Sequence, residues 1–246
     1  MTHVLRSEWT KIRSVRSTVW TLAVTALLML GLGGLVAYAA KSQADSPIPP
    51  GEVAGISLNG IMFAAVAMAT LGVLVISSEY RTGGIRISLQ AVPQRMKLLT
   101  AKIVVFTLVA LVVSTIASAG AVLVGVLVIQ PETFDLGGAA QQVIGAGAYL
   151  TVCGLLGLAL GALVRHTPGA IVAAMALMLV LPQLTSMLPG EWGVAVHNHF
   201  TTNAGLQVVM DSDSNPLGPW SGLGVYLLWA VVPMLAAAVL MKRRDA

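Results

Sequence analysis

Six uninterrupted apolar runs set the fold of this chain: Val19–Tyr38, Ile56–Ser77, Ile103–Ile129, Val143–Val164, Gly169–Leu188 and Leu223–Met241. Each is about 20 residues or more, long enough as a helix to cross a hydrocarbon layer of roughly 30 Å. The runs do not alternate apolar with polar residues, as barrel strands must, so helices are the expected way to satisfy their backbone groups in lipid. Composition agrees, because only 10% of the 246 residues are charged and 57% are hydrophobic, whereas a soluble domain carries roughly 25% charge. The expectation is a single all-α integral membrane domain over 1–246 with six transmembrane helices.

The net charge of +4 is a topology signal, not a nucleic-acid footprint. If the six spans alternate, Arg6, Lys11, Arg13 and Arg16 share one side with Arg81, Arg86, Arg95, Lys97 and Lys102, with Arg165, and with Lys242, Arg243 and Arg244. Of the 14 Lys and Arg, only Lys41 falls opposite, among Asp45, Glu52, Glu132, Asp135, Glu191, Asp211 and Asp213. Basic residues concentrate in short cytoplasmic loops, so both termini are expected in the cytoplasm. The first apolar run is too long for a signal-peptide core and is expected to be retained. Cys153, the single cysteine, lies inside the fourth run, so no internal disulfide can form.

Outside the spans, residues 1–17 read as a helix lying on the membrane. Leu5, Trp9, Ile12 and Val15 recur at helical spacing, with Arg6, Thr10, Arg13 and Ser14 opposite. Glu8 falls within the apolar arc, where a carboxylate needs a partner. Two are available: a base from Arg81–Lys97, or Lys11 at i+3. Lys41–Gly55 is a Pro-marked outer loop, and Pro189–Trp220 is an outer segment mixing apolar and polar residues, closed by the turn cluster Asp211–Pro216. Gly154, Gly157 and Gly161 share a face of the fourth span, as Ser114, Ser118, Ala121 and Gly125 do on the third. Such faces let helix backbones approach closely, within the subunit or against a second copy.

The chain shows no engine of its own. No charged residue or histidine lies in the central part of any span, which removes the usual carboxylate or histidine relay of a proton-driven pump. No G-x-x-x-x-G-K-[ST] loop, H-E-x-x-H helix or paired-Cys pattern occurs. His197 and His199 lack a third ligand of matching kind, so no metal or catalytic site is expected. His166, in Arg165-His166-Thr167-Pro168, is expected to end the fourth helix. What stands out is one charged, Gly- and Pro-marked island, Glu79–Lys102.

That island resembles the membrane subunit of type-2 ABC exporters. The family's second span ends in a carboxylate, followed by Gly, a short helix ending near Leu, then Pro, a basic residue and a Lys at the third span. Glu79, Arg81, Gly83, Leu89, Pro93, Arg95 and Lys102 fill those places. The opening Glu8-Trp9-Thr10-Lys11-Ile12-Arg13-Ser14, the Asn203-Ala204-Gly205 region and the closing Lys242–Ala246 are similar too, so the resemblance runs through essentially the whole chain.

The resemblance implies a permease that is not itself an enzyme and binds no cofactor. Two six-span subunits, identical or sister chains, would form the pathway in the plasma membrane, while separate ATPase subunits bind ATP and Mg. Residues 79–102 would be the coupling loop, with Glu79, Arg81, Gly83, Gly84, Ile85, Arg86 and Leu89 engaging the ATPase. Residues 189–220 would form re-entrant helices closing the pathway outside. The alternatives are a membrane anchor or assembly protein using the same loop for docking, and an integral membrane enzyme, for which converging catalytic groups are missing. Within the island, Pro93–Lys102 is expected only to turn the chain and anchor the third span.

Overall fold

The computed structural model describes residues 2–44, 46–84, 94–210 and 216–243. The described residues form helices and connecting turns, with no strand among them. Helix α1 (Thr2–Ser14) is separated by an extended Val15 from α2 (Arg16–Gln43); α3 (Glu52–Ser57) is short; α4 (Ile61–Thr82), α5 (Arg95–Ile129) and α6 (Leu136–Val164) are long. Next come α7 (Thr167–Met175), a π-helical segment (Ala176–Val180) and α8 (Leu181–Thr185), which together make one continuous rod. Three short helices, α9 (Gly190–His199), α10 (Thr201–Gly205) and α11 (Gln207–Met210), precede α12 (Pro219–Arg243). Six of these helical stretches are long and apolar enough to span a membrane.

The spans differ from the apolar runs mainly at their ends. The third spanning helix, α5, starts at Arg95, not Ile103, and at 1.5 Å per residue its 35 residues reach roughly 50 Å. Its first turns therefore project beyond an apolar layer. The second run is broken at Leu58-Asn59-Gly60. The Asn59 amide donates to the Gly55 and Ile56 carbonyls, and Gly60 lies against the backbone of Leu28 and Met29, where a Cβ would not fit. The spanning part restarts at Ile61 and runs to Thr82, so Glu79 belongs to the last turn of α4.

Helix α6 is the central pillar: 78% of its most apolar stretch is buried, against 17% for α2. Small residues explain how α4 reaches it. A Cβ at Gly157 would collide with the Ala69 carbonyl, and one at Gly72 with the Gly154 carbonyl, so the two backbones touch. The glycine face of the fourth span thus packs within the subunit, and Gly161 lies against Val73 and Ile76. Cys153, fully buried, accepts a hydrogen bond from the Tyr226 hydroxyl of α12 at 3.3 Å. Asp135 caps the start of α6 by accepting from the amides of Gly137 and Gly138.

The rod formed by α7 and α8 holds the outer segment in place. Pro182 has no N–H to return to the carbonyls four and five residues back, Met178 and Leu177. The Thr201 and Thr202 hydroxyls of α10 donate to those carbonyls at 2.7 and 3.0 Å. Carbonyls freed by a proline in an apolar helix need such donors. This accounts for two buried threonines beside a membrane-length helix. His197 bonds Thr185 at 3.0 Å and Asn203 at 3.1 Å, while Trp229 of α12 donates to the His199 carbonyl and packs its ring at a tilt against Phe200. Most of the turn cluster Asp211–Pro216 lies outside the described residues.

Candidate functional site: a closed ring of four charges at the basic end

Three elements meet at the end of the bundle where α4 stops and α5 begins. Gly83, with φ +70, ends α4 in the left-handed region, and its N–H bonds back to the Tyr80 carbonyl. A left-handed turn at that point costs glycine no Cβ clash. Arg81 points to solvent and Gly84 is half-buried. Ile85, Arg86 and Leu89, also expected to engage the ATPase, lie outside the described residues.

Glu8 of α1, Glu79 of α4 and Lys102 of α5 converge with Lys11 into a closed ring of alternating charge. Lys102 Nζ lies 2.6 Å from Glu8 Oε2 and 2.8 Å from Glu79 Oε1. Lys11 Nζ lies 2.7 Å from Glu8 Oε1 and 3.1 Å from Glu79 Oε1. Each lysine bridges both carboxylates. The Lys102 and Glu8 side chains are only 3% and 2% exposed, so water does little of the solvation and the four groups must do it for one another. Burial would push Lys11 down. The hydrogen bond that Lys11 donates to Glu8 and the nearby charges of Glu79 and Glu8 outweigh it and hold Lys11 above its ordinary value.

The ring answers the question posed by Glu8 in an unexpected way. Both the local partner Lys11 and a distant base bind it, but the distant base is Lys102, beyond the Arg81–Lys97 stretch. Lys102, read from sequence as an anchor for the third span, is the most central member. The long reach of α5 carries it there: about two turns separate Lys102 from the helix start. The face that α1 turns to the protein centres on Glu8 and Ile12, with Leu5 half-buried and Trp9, Arg13 and Val15 exposed.

The surrounding contacts tie the same end together. Arg95 at the start of α5 donates to the Met241 carbonyl near the end of α12 at 2.8 Å. Arg165, the left-handed residue ending α6, lies 5.0 Å over the Tyr80 ring, and Thr167 donates to Ser77 at 2.9 Å. His166 does not end α6; its Nδ1 accepts from the Gly169 amide and caps the start of α7. Beside the ring, α1, α2 and α4 enclose a partly open cavity of ≈ 460 Å³. Among the described residues, no cluster of three or more potential metal ligands occurs.

No curated protein matches the chain. The family model described as "ABC-2 family transporter protein" matches residues 4–183, ending before the outer segment and the last span. With six membrane-length helices in the structure and most of the chain matched, the protein belongs to the ABC-2 transporter family and is a multi-pass membrane permease subunit.

Proposed function

We propose that this chain is the pathway-forming subunit of an ATP-driven exporter in the bacterial plasma membrane, working as one of two copies or beside a sister permease. ATP and Mg are handled by a separate ATPase subunit docked beneath the basic end. In this reading Glu79, Arg81, Gly83, Gly84, Ile85, Arg86 and Leu89 transmit the motion of that ATPase, α1 lies on the cytoplasmic membrane surface, and both termini are cytoplasmic. Residues 189–220 close the outer side.

The observation that carries this reading is the charge ring. Glu79 lies in the last turn of α4, where the segment that would meet the ATPase begins, and Lys102 lies about two turns into α5, which follows it; these two residues are bonded to each other and to α1. A push on the loop is therefore delivered to three elements at once, without slack between them. The large apolar faces of α2, α7–α8 and α12, where only 17–22% of the most apolar stretch is buried, suit lipid and a second subunit.

Co-purification with an ATPase encoded nearby, followed by transport in proteoliposomes, tests the reading. Arg81→Glu and Leu89→Asp are expected to weaken docking at least tenfold, as loss of a charge-assisted or buried apolar contact does. Undiminished docking by both variants would remove the coupling role from this loop.

A further inference from the structure

The outer segment is tied to its surroundings through one imidazole nitrogen that serves two neighbours. His197, half-buried near the end of α9, presents Nδ1 to the Thr185 hydroxyl of α8 at 3.0 Å and to the Asn203 side-chain amide of α10 at 3.1 Å. The Asn203 Nδ2 also donates to the His197 carbonyl at 3.0 Å. That second bond fixes the amide, because turned over its oxygen would face a carbonyl oxygen. Nδ2 therefore points an N–H at Nδ1, which must accept. The neutral ring meets this by carrying its proton on Nε2.

The two neighbours differ in what they tolerate. Thr185 serves either form of the ring. Its hydroxyl donates to a bare Nδ1, or accepts from a protonated one while giving its own proton to the Pro182 carbonyl at 2.6 Å. Asn203 has no such freedom, because an Nδ1–H leaves it donor against donor. The imidazolium carries N–H on both nitrogens, so no form of the charged ring keeps Asn203. The proton and Asn203 compete for a single lone pair.

What Asn203 helps to hold is α10. Thr201 and Thr202 bond the Leu177 and Met178 carbonyls, and a Cβ at Gly205 would collide with the rings of Tyr149 on α6 and Tyr226 on α12. Helix α10 is thus seated against the last three spans. Among the described residues, α7, the π-helical segment, α8, α10 and α11 hold no titratable group. Helix α12, packed on α9, brings Tyr226, whose hydroxyl is given to Cys153, and has Lys242 and Arg243 at its far end. On α9 itself Glu191 is exposed near the start, and the exposed His199 donates from Nδ1 to the Ala195 carbonyl.

We propose that His197 is an acid-responsive latch on the outer segment: protonation at Nδ1 releases Asn203, keeps the tie to Thr185 and loosens α10 between the last three spans. Histidine is the side chain that changes charge between about pH 5 and 8, so the response falls in mild acid. The latch stands on these bonds alone. Its bearing on transport rests on the reading that residues 189–220 close the outer side, in which case acid outside favours opening.

Hydrogen–deuterium exchange of the full chain in detergent, read by mass spectrometry at about pH 8 and about pH 5 and corrected for intrinsic amide chemistry, tests it. Protection of the amides of residues 201–210 is expected to fall roughly tenfold in acid, the size of one lost hydrogen bond, while that of α5 and α6 holds. His197→Asn puts a non-titrating oxygen near the place of Nδ1 and should keep protection equal at both pH values. Asn203→Ala removes the competing donor and should lower protection already at the higher pH, with no further loss in acid. Unchanged protection of the unaltered protein in acid would overturn the proposal. So would an acid loss that persists in either variant, or one shared equally by α5 and α6, which marks general unfolding. Neither ATPase nor transport enters the measurement, so failure here leaves the exporter reading standing.

Discussion

Removing the ammonium of Lys102 would leave Glu8 and Glu79 facing a site that water barely reaches, with Lys11 alone to serve both. Breaking a buried pair from one side is costlier than deleting it whole. Lys102→Met is therefore expected to destabilise the protein by about 3–5 kcal/mol, read as a lowered midpoint in thermal unfolding of the purified chain. Adding Glu8→Gln to it should recover part of the loss. Lys11 gives a pH signature. Its folded value is raised above its ordinary 10.5, so its contribution is fully present below that value and fades as pH rises through the higher folded one. Docking of α1, followed by protease protection of residues 2–14, should be flat through neutral pH and fail only in strong alkali. Onset near neutral pH would rule Lys11 out as the cause. At this scale the sequence was half legible. Glu8 declared itself by sitting in an apolar arc, but Lys102 was hidden, because a lysine at a span boundary also satisfies the positive-inside rule. Only the three-dimensional meeting of α1, α4 and α5 separates the two roles.

Helix against helix, the molecule relies on backbone contact where a side chain would not fit. Gly157→Ala should wedge α4 from α6 at a cost of about 1–3 kcal/mol, the usual penalty of overpacking, because its Cβ would meet the Ala69 carbonyl. Gly31→Ala in α2 makes the matched control: nothing lies within 4 Å of its Cβ, and a gain of up to about 1 kcal/mol is expected from the lost chain entropy. If both substitutions have the same effect on thermal unfolding, close approach is not what the glycines provide. On the far side, Thr201→Val and Thr202→Val should each cost about 1–3 kcal/mol by leaving a buried carbonyl unmatched, and should expose residues 190–210 to added protease. The glycine face was visible as a spacing of three and four. The threonine pair was not, since its reason is a proline 19 and 20 residues upstream, at 182, and no local pattern connects them.

Across the whole molecule, the six apolar runs announced six spans because lipid leaves few other ways to satisfy a backbone. Their lengths were less legible, because helices continue past the hydrocarbon edge wherever packing supports them, as α5 does through its first turns. The same extension has a consequence for biosynthesis. Glu8 leaves the ribosome well before its partner Lys102, which follows 94 residues later. At bacterial-type rates of roughly 5–20 residues per second, that is a wait of about 5–20 s. During it α1 has no finished seat. Nascent chains carrying Ile12→Cys and stalled before Lys102 should be labelled by a water-soluble maleimide, and chains stalled well beyond it should be protected. Protection at both lengths would mean that α1 finds its place before α5 exists. The delay also leaves a window in which a chaperone or the insertion machinery can hold α1, so that α1 is locked only after α2, α4 and the start of α5 have been made.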